Sequence, residues 1–566
     1  MTRALLLALV LGAARLCPGQ SAVVYHNATI YTADPQRPTA QAFAVRGESL
    51  IAVGALADVR ASAGEGAAEM DLGGRTVLPG LIDAHGHMAG LGAFGLGVLE
   101  LSGAASLGDV VRAAADAAGN KETGEWVLGG RWDHESWSER VLPSNRELSA
   151  ATPDNPVWLR RVDGHAGIAN ARALALAGIT RETPSPAGGE ILKDEAGEPT
   201  GVLVDNAMSL VESKIPSGAR GRGEDLLLKA QELCLSAGLT GVHDAGVSPG
   251  EIAVYRRLAG EGKLKIRSYL MVSGPFALAW FEENGPITGP VLNIRAVKLY
   301  MDGAMGSRGA WLLEPYADRP LDSEGEPYAG LAVGDTEFVE AVARHAVQKR
   351  YQVCTHAIGD RANREVLDAY ERALRVPGMT PRQLNHRFRI EHAQLLNFDD
   401  MPRFAEMGVI ASMQPTHCTS DMRWVEARVG PERSKGAYAW QNLLAAGARI
   451  AGGSDFPVES HNPFLGFYAA VTRQDAEGNP EGGWNPQERL TREQALAMFT
   501  LWAAYASFEE EMKGSLTPGK LADFIVIDRD IMACPPEEIL ATRVLRTVIG
   551  GETVYEAGPA KASEPR

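Results

Sequence analysis

Short apolar runs alternate with helix-length segments through the middle of this chain, and this alternation most constrains its fold. Eight runs have the length and composition of buried strands, at residues 76–83, 156–162, 240–243, 294–301, 352–355, 388–390, 409–413 and 449–453. Amphipathic helices are predicted over 224–236, 335–349, 363–374 and 492–504. Eight βα units predict an α/β fold with a closed (β/α)8 TIM-type barrel, whose catalytic groups lie at the carboxyl ends of the strands.

The two ends of the chain carry short β-rich segments punctuated by Gly, Asp and Pro. We expect residues 21–77 and 511–566 to form one small β-sandwich domain, and residues 78–510 to form the barrel. The stretch at about 103–239 is much longer than a usual βα connection, which predicts an insertion or lid. Four tryptophans of this stretch could form an apolar substrate wall or an ordinary core: Trp126, Trp132, Trp137 and Trp158.

Residues 1–20 have the basic start and short apolar run of a secretory signal peptide, which predicts export to the periplasm or beyond the cell. Leu16 fits poorly before a lipidated cysteine, so a lipoprotein anchored through Cys17 is the less favoured alternative. No later run is long enough for a membrane helix. The net charge of −16 argues against a nucleic-acid partner, because such surfaces are basic.

Two histidines separated by one residue, His85 and His87, end the first predicted strand. Side chains two residues apart in an extended chain project to the same side, so the two imidazoles can meet one cation. Four more polar groups stand at the ends of later predicted strands: Lys298, His356, His392 and Asp455. Each alone could be structural, but their recurrence at strand ends indicates a metal site, and imidazole and carboxylate ligands suit zinc. An inward Lys298 would need a carboxylate or metal partner, or conversion to a carbamate.

These motifs resemble the metal-dependent amidohydrolase superfamily, most closely its YtcJ-like branch (amidohydrolase family 3), which includes N-substituted formamide deformylases. The resembling segments are residues 78–87, 159–165, 297–308, 355–362, 389–394, 453–459 and 514–528. The resemblance implies two divalent metals, expected to be Zn2+, with carboxylated Lys298 bridging them. It places His85, His87 and Asp455 on one metal, and His356 and His392 on the other.

The same resemblance implies hydrolysis of an amide-type C–N bond by a metal-bridging hydroxide, with Asp455 carrying the proton to the leaving amine. Substrate-binding or ligand-orienting roles are expected for His165, His243, Asp302 and Arg361, although a structural hydrogen bond is an equal alternative for each. His417 is expected in a loop after the seventh strand, with Cys418 as an alternative ligand and Cys354 as a packed thiol.

Two alternatives stay open for the function. The same site could serve a deaminase, lactonase or phosphoester hydrolase, since this barrel hosts several reactions. An exported binding protein without turnover is the other, although a retained proton carrier argues against it. The partner is expected to be a small amide-type molecule. The sequence leaves the natural substrate, the metal and a homo-oligomeric state undetermined.

Overall fold

The structure is a computed structural model that describes residues 21–322 and 324–558 as a mixed α/β fold. The predicted signal peptide and Cys17 lie outside the described residues. No helix within the described ranges is long and apolar enough to cross a lipid bilayer.

The strands fall into three sheets. In chain order they are β1 (Val23–Tyr31), β2 (Thr39–Arg46), β3 (Ser49–Gly54), β4 (Ala68–Pro79), β5 (Leu81–Gly86), β6 (Leu99–Glu100), β7 (Val127–Trp132), β8 (Val157–Arg161), β9 (Ala166–Ala169), β10 (Gly189–Lys193), β11 (Pro199–Asp205), β12 (Leu239–Val247), β13 (Arg267–Ser273), β14 (Leu292–Tyr300), β15 (Gln352–Ala357), β16 (Arg389–His392), β17 (Ile410–Met413), β18 (Arg449–Gly452), β19 (Phe524–Ile527), β20 (Val544–Ile549) and β21 (Glu552–Glu556).

The α-helices cover the outside of the barrel and the faces of the other two sheets. They are α1 (Leu56–Ala63), α2 (Met88–Gly95), α3 (Leu107–Gly119), α4 (Arg146–Ala151), α5 (Ala171–Ala177), α6 (Met208–Glu212), α7 (Gly223–Ser236), α8 (Pro249–Gly260), α9 (Gly274–Asn284), α10 (Thr336–Lys349), α11 (Asp360–Ala373), α12 (Met401–Met407), α13 (Pro415–Asp421), α14 (Val425–Arg433), α15 (Trp440–Ala445), α16 (Pro463–Thr472), α17 (Arg492–Met498) and α18 (Leu501–Ala506).

An eight-stranded parallel sheet forms the barrel, in the order β5, β12, β13, β14, β15, β16, β17, β18. The seam between β18 and β5 is bridged just beyond the strand ends. There the Asp455 N–H donates to His85 O over 2.7 Å and the His87 N–H donates to Phe456 O over 2.8 Å. The predicted barrel class is confirmed, and its closure places Asp455 beside both histidines.

Two assignments of barrel strands were wrong. Residues 156–162, predicted as the second barrel strand, form β8 in a separate six-stranded sheet. The missed barrel strand is β13, where Arg267 and Ser268 interrupt the apolar pattern. Periodicity identifies a buried strand but not the sheet that it joins, so the sequence did not separate these cases.

The predicted helix over 492–504 is also two helices, α17 and α18. They are divided at Thr500, whose backbone is not helical (φ −136°, ψ −96°).

Strands from both ends of the chain build a seven-stranded sheet, in the order β21, β20, β19, β4, β1, β2, β3. Its core includes Tyr25, Phe43 and Phe524, whose rings pack within 5.1 Å of one another. The turn between β20 and β21 is Gly550-Gly551, with φ values of 57° and 75°. Two positive φ values in a two-residue hairpin favour glycine, and both positions are glycine.

A six-stranded sheet, in the order β10, β11, β9, β8, β7, β6, lies between the first and second barrel strands in the chain. Trp132 and Trp137 pack in its hydrophobic core, and Trp126 and Trp158 pack in a second cluster of the same region. The carboxyl end of β8 and the segment after it face the barrel mouth, so this sheet contributes to the site described below.

A buried ion pair joins the terminal sheet to the barrel. Arg267 at the start of β13 donates to both carboxylate oxygens of Asp523, over 2.5 and 2.7 Å. Both side chains are 4% exposed, and Asp523 also accepts the Gly550 N–H over 2.8 Å. A buried bidentate pair fixes the relative position of the two elements.

Removing one partner of this pair should strongly destabilise the fold. We expect Asp523→Ala to lower the free energy of unfolding by about 3–5 kcal/mol, because Arg267 would be left buried and unpaired. Urea denaturation followed by circular dichroism measures this. The matched control is Lys265→Ala, which breaks the exposed pair Lys265–Glu552 and should cost no more than about 1 kcal/mol. Equal losses for both variants would contradict the argument.

Candidate metal centre and substrate cavity

Six polar side chains converge at the carboxyl ends of the barrel strands: His85, His87, Lys298, His356, His392 and Asp455. All six line a cavity of 630 Å³, here called the large arm. A second cavity of 240 Å³, the small arm, shares His356, His392 and Asp455 with it. The structure therefore brings together every residue that the sequence assigned to the metals.

The closest contacts surround Asp455. His87 Nε2 lies 3.0 Å from Asp455 Oδ1, and His85 Nε2 lies 3.5 Å from the same oxygen. Lys298 Nζ lies 3.0 Å from His85 Nε2. Asp455 has a φ of 60° and His392 a φ of 72°, a left-handed backbone that non-glycine residues adopt rarely. The chain thus holds two of these groups in uncommon conformations.

The imidazole rings are oriented by hydrogen bonds at Nδ1. His85 Nδ1 donates to Glu391 over 2.5 Å, His87 Nδ1 to Ala245 O over 2.9 Å, and His392 Nδ1 to Gln414 Oε1 over 2.9 Å. In a neutral ring whose Nδ1 donates, Nε2 carries the lone pair. Acceptor nitrogens therefore face one another and the Asp455 carboxylate, an arrangement that a cation would stabilise.

Burial keeps the rings of His85, His356 and His392 neutral. Burial and the charge of Lys298 lower the pKa of His85 to about 4. Burial lowers the pKa of His356 and of His392 well below the usual histidine value. Burial opposes the charge of Asp455, but His85 and His87 hold its pKa well below the usual carboxyl value. At neutral pH the cluster offers free imidazole nitrogens and an ionised carboxylate, the protonation states that a metal requires.

The residues present fit a metal. His85, His87 and Asp455 place one ligand atom each within 4.8 Å of one another, and His392, His417 and Asp455 do the same. His356 Nε2 and Asp455 Oδ1 are buried and make no hydrogen bond with a described residue. Buried polar atoms without partners are rare, and ligation to a cation would satisfy them.

His417 is the functional candidate that the sequence placed in a loop. It lies on α13, its Nε2 is 3.7 Å from Asp455 Oδ2, and its ring is roughly parallel to that of His392. Its neighbour Cys418 is buried in the core, and Cys354 is likewise packed among apolar side chains. The sequence after β17 did not indicate that a short helix, α13, follows the strand. It therefore did not predict that this helix places His417 beside Asp455.

Glu391 and Arg389 were also missed. Arg389 Nε lies 2.7 Å from Glu391 Oε1, and both side chains are fully buried. They share one face of β16, and two charged residues alternating within a short strand are the signal that could have found them. Burial alone would raise the pKa of Glu391, but Arg389 and His85 lower it far below the usual carboxyl value.

Of the four residues predicted to bind substrate, only His165 lines the cavity. His165 lines both arms; its Nδ1 lies 2.7 Å from Asp205 Oδ1, and its ring centroid lies 4.8 Å from that of His356. His243 lies inside the barrel, where its Nδ1 accepts from Arg389 over 2.9 Å. Arg361 lines neither arm and covers the Trp311 ring.

Asp302 also lines neither arm. Its carboxylate accepts the N–H groups of Trp311, Ile358 and Gly359 over 2.8–2.9 Å, which connects the loop after β14 to the loop after β15. Its Oδ1 lies 3.5 Å from His356 Nε2. Burial raises its pKa to about 7. Asp302 is therefore placed to orient the loop next to His356 and does not reach the cavity.

Comparisons with known proteins give the same picture. Residues 68–555 match the model of the Amidohydrolase family, Amidohydro_3. The protein LONG AFTER FAR-RED 3 of Arabidopsis thaliana is 35% identical, over 94% of this chain and 91% of its own. YtcJ of Bacillus subtilis (strain 168) is 34% identical, over 86% of this chain and 90% of its own. The N-substituted formamide deformylase of Arthrobacter pascens is 31% identical, over 94% and 97%.

A solved structure agrees in fold. An uncharacterized metal-dependent hydrolase from Pyrococcus furiosus is 29% identical, with a TM-score of 0.69, over 90% of this chain and 100% of that one. The match to the family covers the barrel and four of the seven strands of the terminal sheet, β4, β19, β20 and β21. The chain therefore belongs to the amidohydrolase family, in the YtcJ-like branch that its motifs indicated, and is a metal-dependent hydrolase.

Proposed function

We propose that this chain hydrolyses an amide-type C–N bond, with N-substituted formamides as the first substrate class to test. The observation that carries the proposal is the convergence of neutral imidazoles on ionised Asp455 at the floor of an open cavity. The deformylase relative, matched over nearly its whole length, supports the choice of formamides. Deaminase, lactonase and phosphoester hydrolase activities stay alternatives, and the structure offers no observation that favours one of them.

The proposed ligands fall into two groups around Asp455. His85, His87 and Asp455 would hold one cation, and His392 with His356 or His417 would hold a second. Imidazole and carboxylate ligands suit Zn2+. We also propose that Lys298 is carboxylated, because its Nζ lies 3.0 Å from His85 Nε2 at the cavity with no carboxylate paired to it among the described residues. Divalent cations held there would supply Lewis-acid chemistry, polarising a carbonyl and making water more acidic.

The chain's own residues would then position the substrate and move the proton. Asp455 Oδ1 makes no hydrogen bond with a described residue and faces the cavity, so it can accept a proton from water. The same carboxylate can pass that proton to the departing nitrogen. His165, fixed by Asp205, faces both arms from the six-stranded sheet and is placed to hydrogen-bond the substrate beside His356.

Export is proposed from residues 1–20 alone, since they have the pattern of a signal peptide. The mature protein should therefore be assayed without them.

The first prediction concerns turnover. Zinc-supplemented protein should release formate from N-benzylformamide, and a chelator should abolish the release. We expect Asp455→Asn to lower kcat by roughly 100- to 10,000-fold, because the proton acceptor is lost. Asp399→Asn is the matched control, since Asp399 is exposed and remote from the cavity. Formate release is measured by a coupled dehydrogenase assay. Metal-replete protein that cleaves lactones, aminopurines or phosphoesters but no amide would overturn the proposal.

The second prediction concerns metal content. Elemental mass spectrometry should find two metals per chain, falling to one or none in Lys298→Ala, because the bridging group would be missing. Bicarbonate in the growth medium should raise occupancy in the wild type and not in the variant. Lys435→Ala, at an exposed helix end, should retain the wild-type content. One metal in both wild type and Lys298→Ala would exclude the bridged pair.

The third prediction concerns the residue behind His85. We expect Glu391→Gln to weaken metal affinity by roughly 10- to 100-fold, because the orienting carboxylate on Nδ1 is lost. Competition with a fluorescent chelator measures the affinity. Glu488→Gln removes an equally buried carboxylate that binds Gln441 and Asn442 away from the cavity. That control should lower stability and leave metal affinity unchanged, whereas equal losses in both would indicate a general folding defect.

A further inference from the structure

The large arm has an apolar wall and a basic end. Its apolar lining includes Phe94, Val98, Leu128, Trp158 and Met208. Two guanidinium groups, here called the basic end, line the same arm: Arg160 and Arg220. Arg220 also borders an adjoining cavity that no histidine lines, so it lies where the large arm meets that cavity.

The basic end has one carboxylate for two positive charges. Arg160 Nε and Nη2 both lie 2.6 Å from Glu212 Oε1, and Trp158 Nε1 donates to the same oxygen over 3.1 Å. Arg220 makes no hydrogen bond or ion pair with any described residue. Arg220 is itself exposed, so it borders the solvent-open part of the large arm. Arg220 therefore faces the cavity without a counterion of its own.

Of the other carboxylates of the large arm, Asp455 lies among the histidines, and the rest bind partners other than Arg220. Asp163 binds Arg161 over 2.5 Å, and Asp205 binds His165 over 2.7 Å. Asp244 accepts from Tyr255 over 2.7 Å. Glu251 accepts the N–H and the hydroxyl of Ser248 at the start of α8.

The remaining guanidinium groups of the large arm are already paired. Arg131 binds Glu100 over 3.0 Å, and Arg161 binds Asp133 over 2.7 Å as well as Asp163. Apart from Lys298, which lies beside His85, the unmatched positive charge of the large arm is thus at the basic end.

We propose that the substrate carries a carboxylate on an apolar substituent, and that Arg220, beside Arg160, binds this carboxylate. A guanidinium matches a carboxylate in a planar, two-point contact, which favours this anion over a neutral polar group. The apolar wall would hold the substituent between the basic end and the histidines. The inference rests on the proposed amide hydrolysis for the reacting bond, but the binding of the carboxylate does not depend on turnover.

The test compares two substrates of nearly the same size and shape, 4-(formamidomethyl)benzoate and 4-(formamidomethyl)benzamide. Wild-type zinc protein should prefer the benzoate in kcat/KM by about 10- to 100-fold, the range of one charge-assisted hydrogen bond. In Arg220→Gln the ratio should fall close to one, and Arg220→Lys should recover part of it. The matched control is Arg222→Gln, two residues along the same loop, where Arg222 is exposed and lies 3.7 Å from Asp225. This control should keep the wild-type ratio.

A binding measurement separates the two proposals. Titration calorimetry with 4-methylbenzoate should show binding to the wild type and to Arg222→Gln, and at least tenfold weaker binding to Arg220→Gln. If neither formamide is cleaved but this pattern holds, the proposed function fails and the carboxylate site stands. If formamides are cleaved with equal kcat/KM, or if Arg220→Gln keeps the preference for the benzoate, the carboxylate site is wrong and the proposed function stands.

Discussion

A buried arginine and carboxylate inside the barrel are the constraint on which the site depends. Arg389 on β16 donates to Ala84 O, to the Ser412 hydroxyl and to Glu391, over 2.6, 2.8 and 2.9 Å. These contacts connect three barrel strands below the cavity. Two buried charges are tolerated because each neutralises the other, and Arg389 also donates to His243.

The pair of Arg389 and Glu391 also orients the proposed metal ligands. Glu391 accepts from His85 Nδ1, so the His85 ring has one tautomer and presents Nε2 to the cavity. The seam of the barrel then places Asp455 against His85, because the Asp455 N–H binds the His85 carbonyl. The ion pair with Arg389 thus fixes Glu391, the hydrogen bond from Glu391 fixes His85, and the main-chain bond to His85 fixes Asp455.

The barrel and the six-stranded sheet contribute different groups to the site. The barrel supplies the groups that fit metals, at the strand ends and, for His417, on the helix after β17. The inserted sheet supplies His165, Trp158 and Arg160, which face the space that a substrate would occupy. One element can therefore keep its chemistry while the other changes the substrate, a division common in barrels of this kind.

The sequence by itself determined the fold class and the residues at strand ends. Apolar runs and their spacing are local properties, and a side chain at the end of a barrel strand faces the mouth whatever the rest of the chain does. Histidines 85 and 87 and Asp455 could therefore be named from the chain alone. The hairpin at Gly550-Gly551 could be named for the same reason, since a tight turn is decided by two residues.

Only the tertiary structure decided which strands share a sheet and which side chains share a cavity. Strand β8 has the apolar pattern of a barrel strand, but it pairs with β7 and β9 and therefore belongs to the six-stranded sheet of the insertion. His417, Glu391 and Arg220 gained their significance from neighbours more than 35 residues away in the chain, or from the absence of a counterion. Pairing and charge balance are long-range properties that no local pattern records, because they are fixed only when the chain closes on itself.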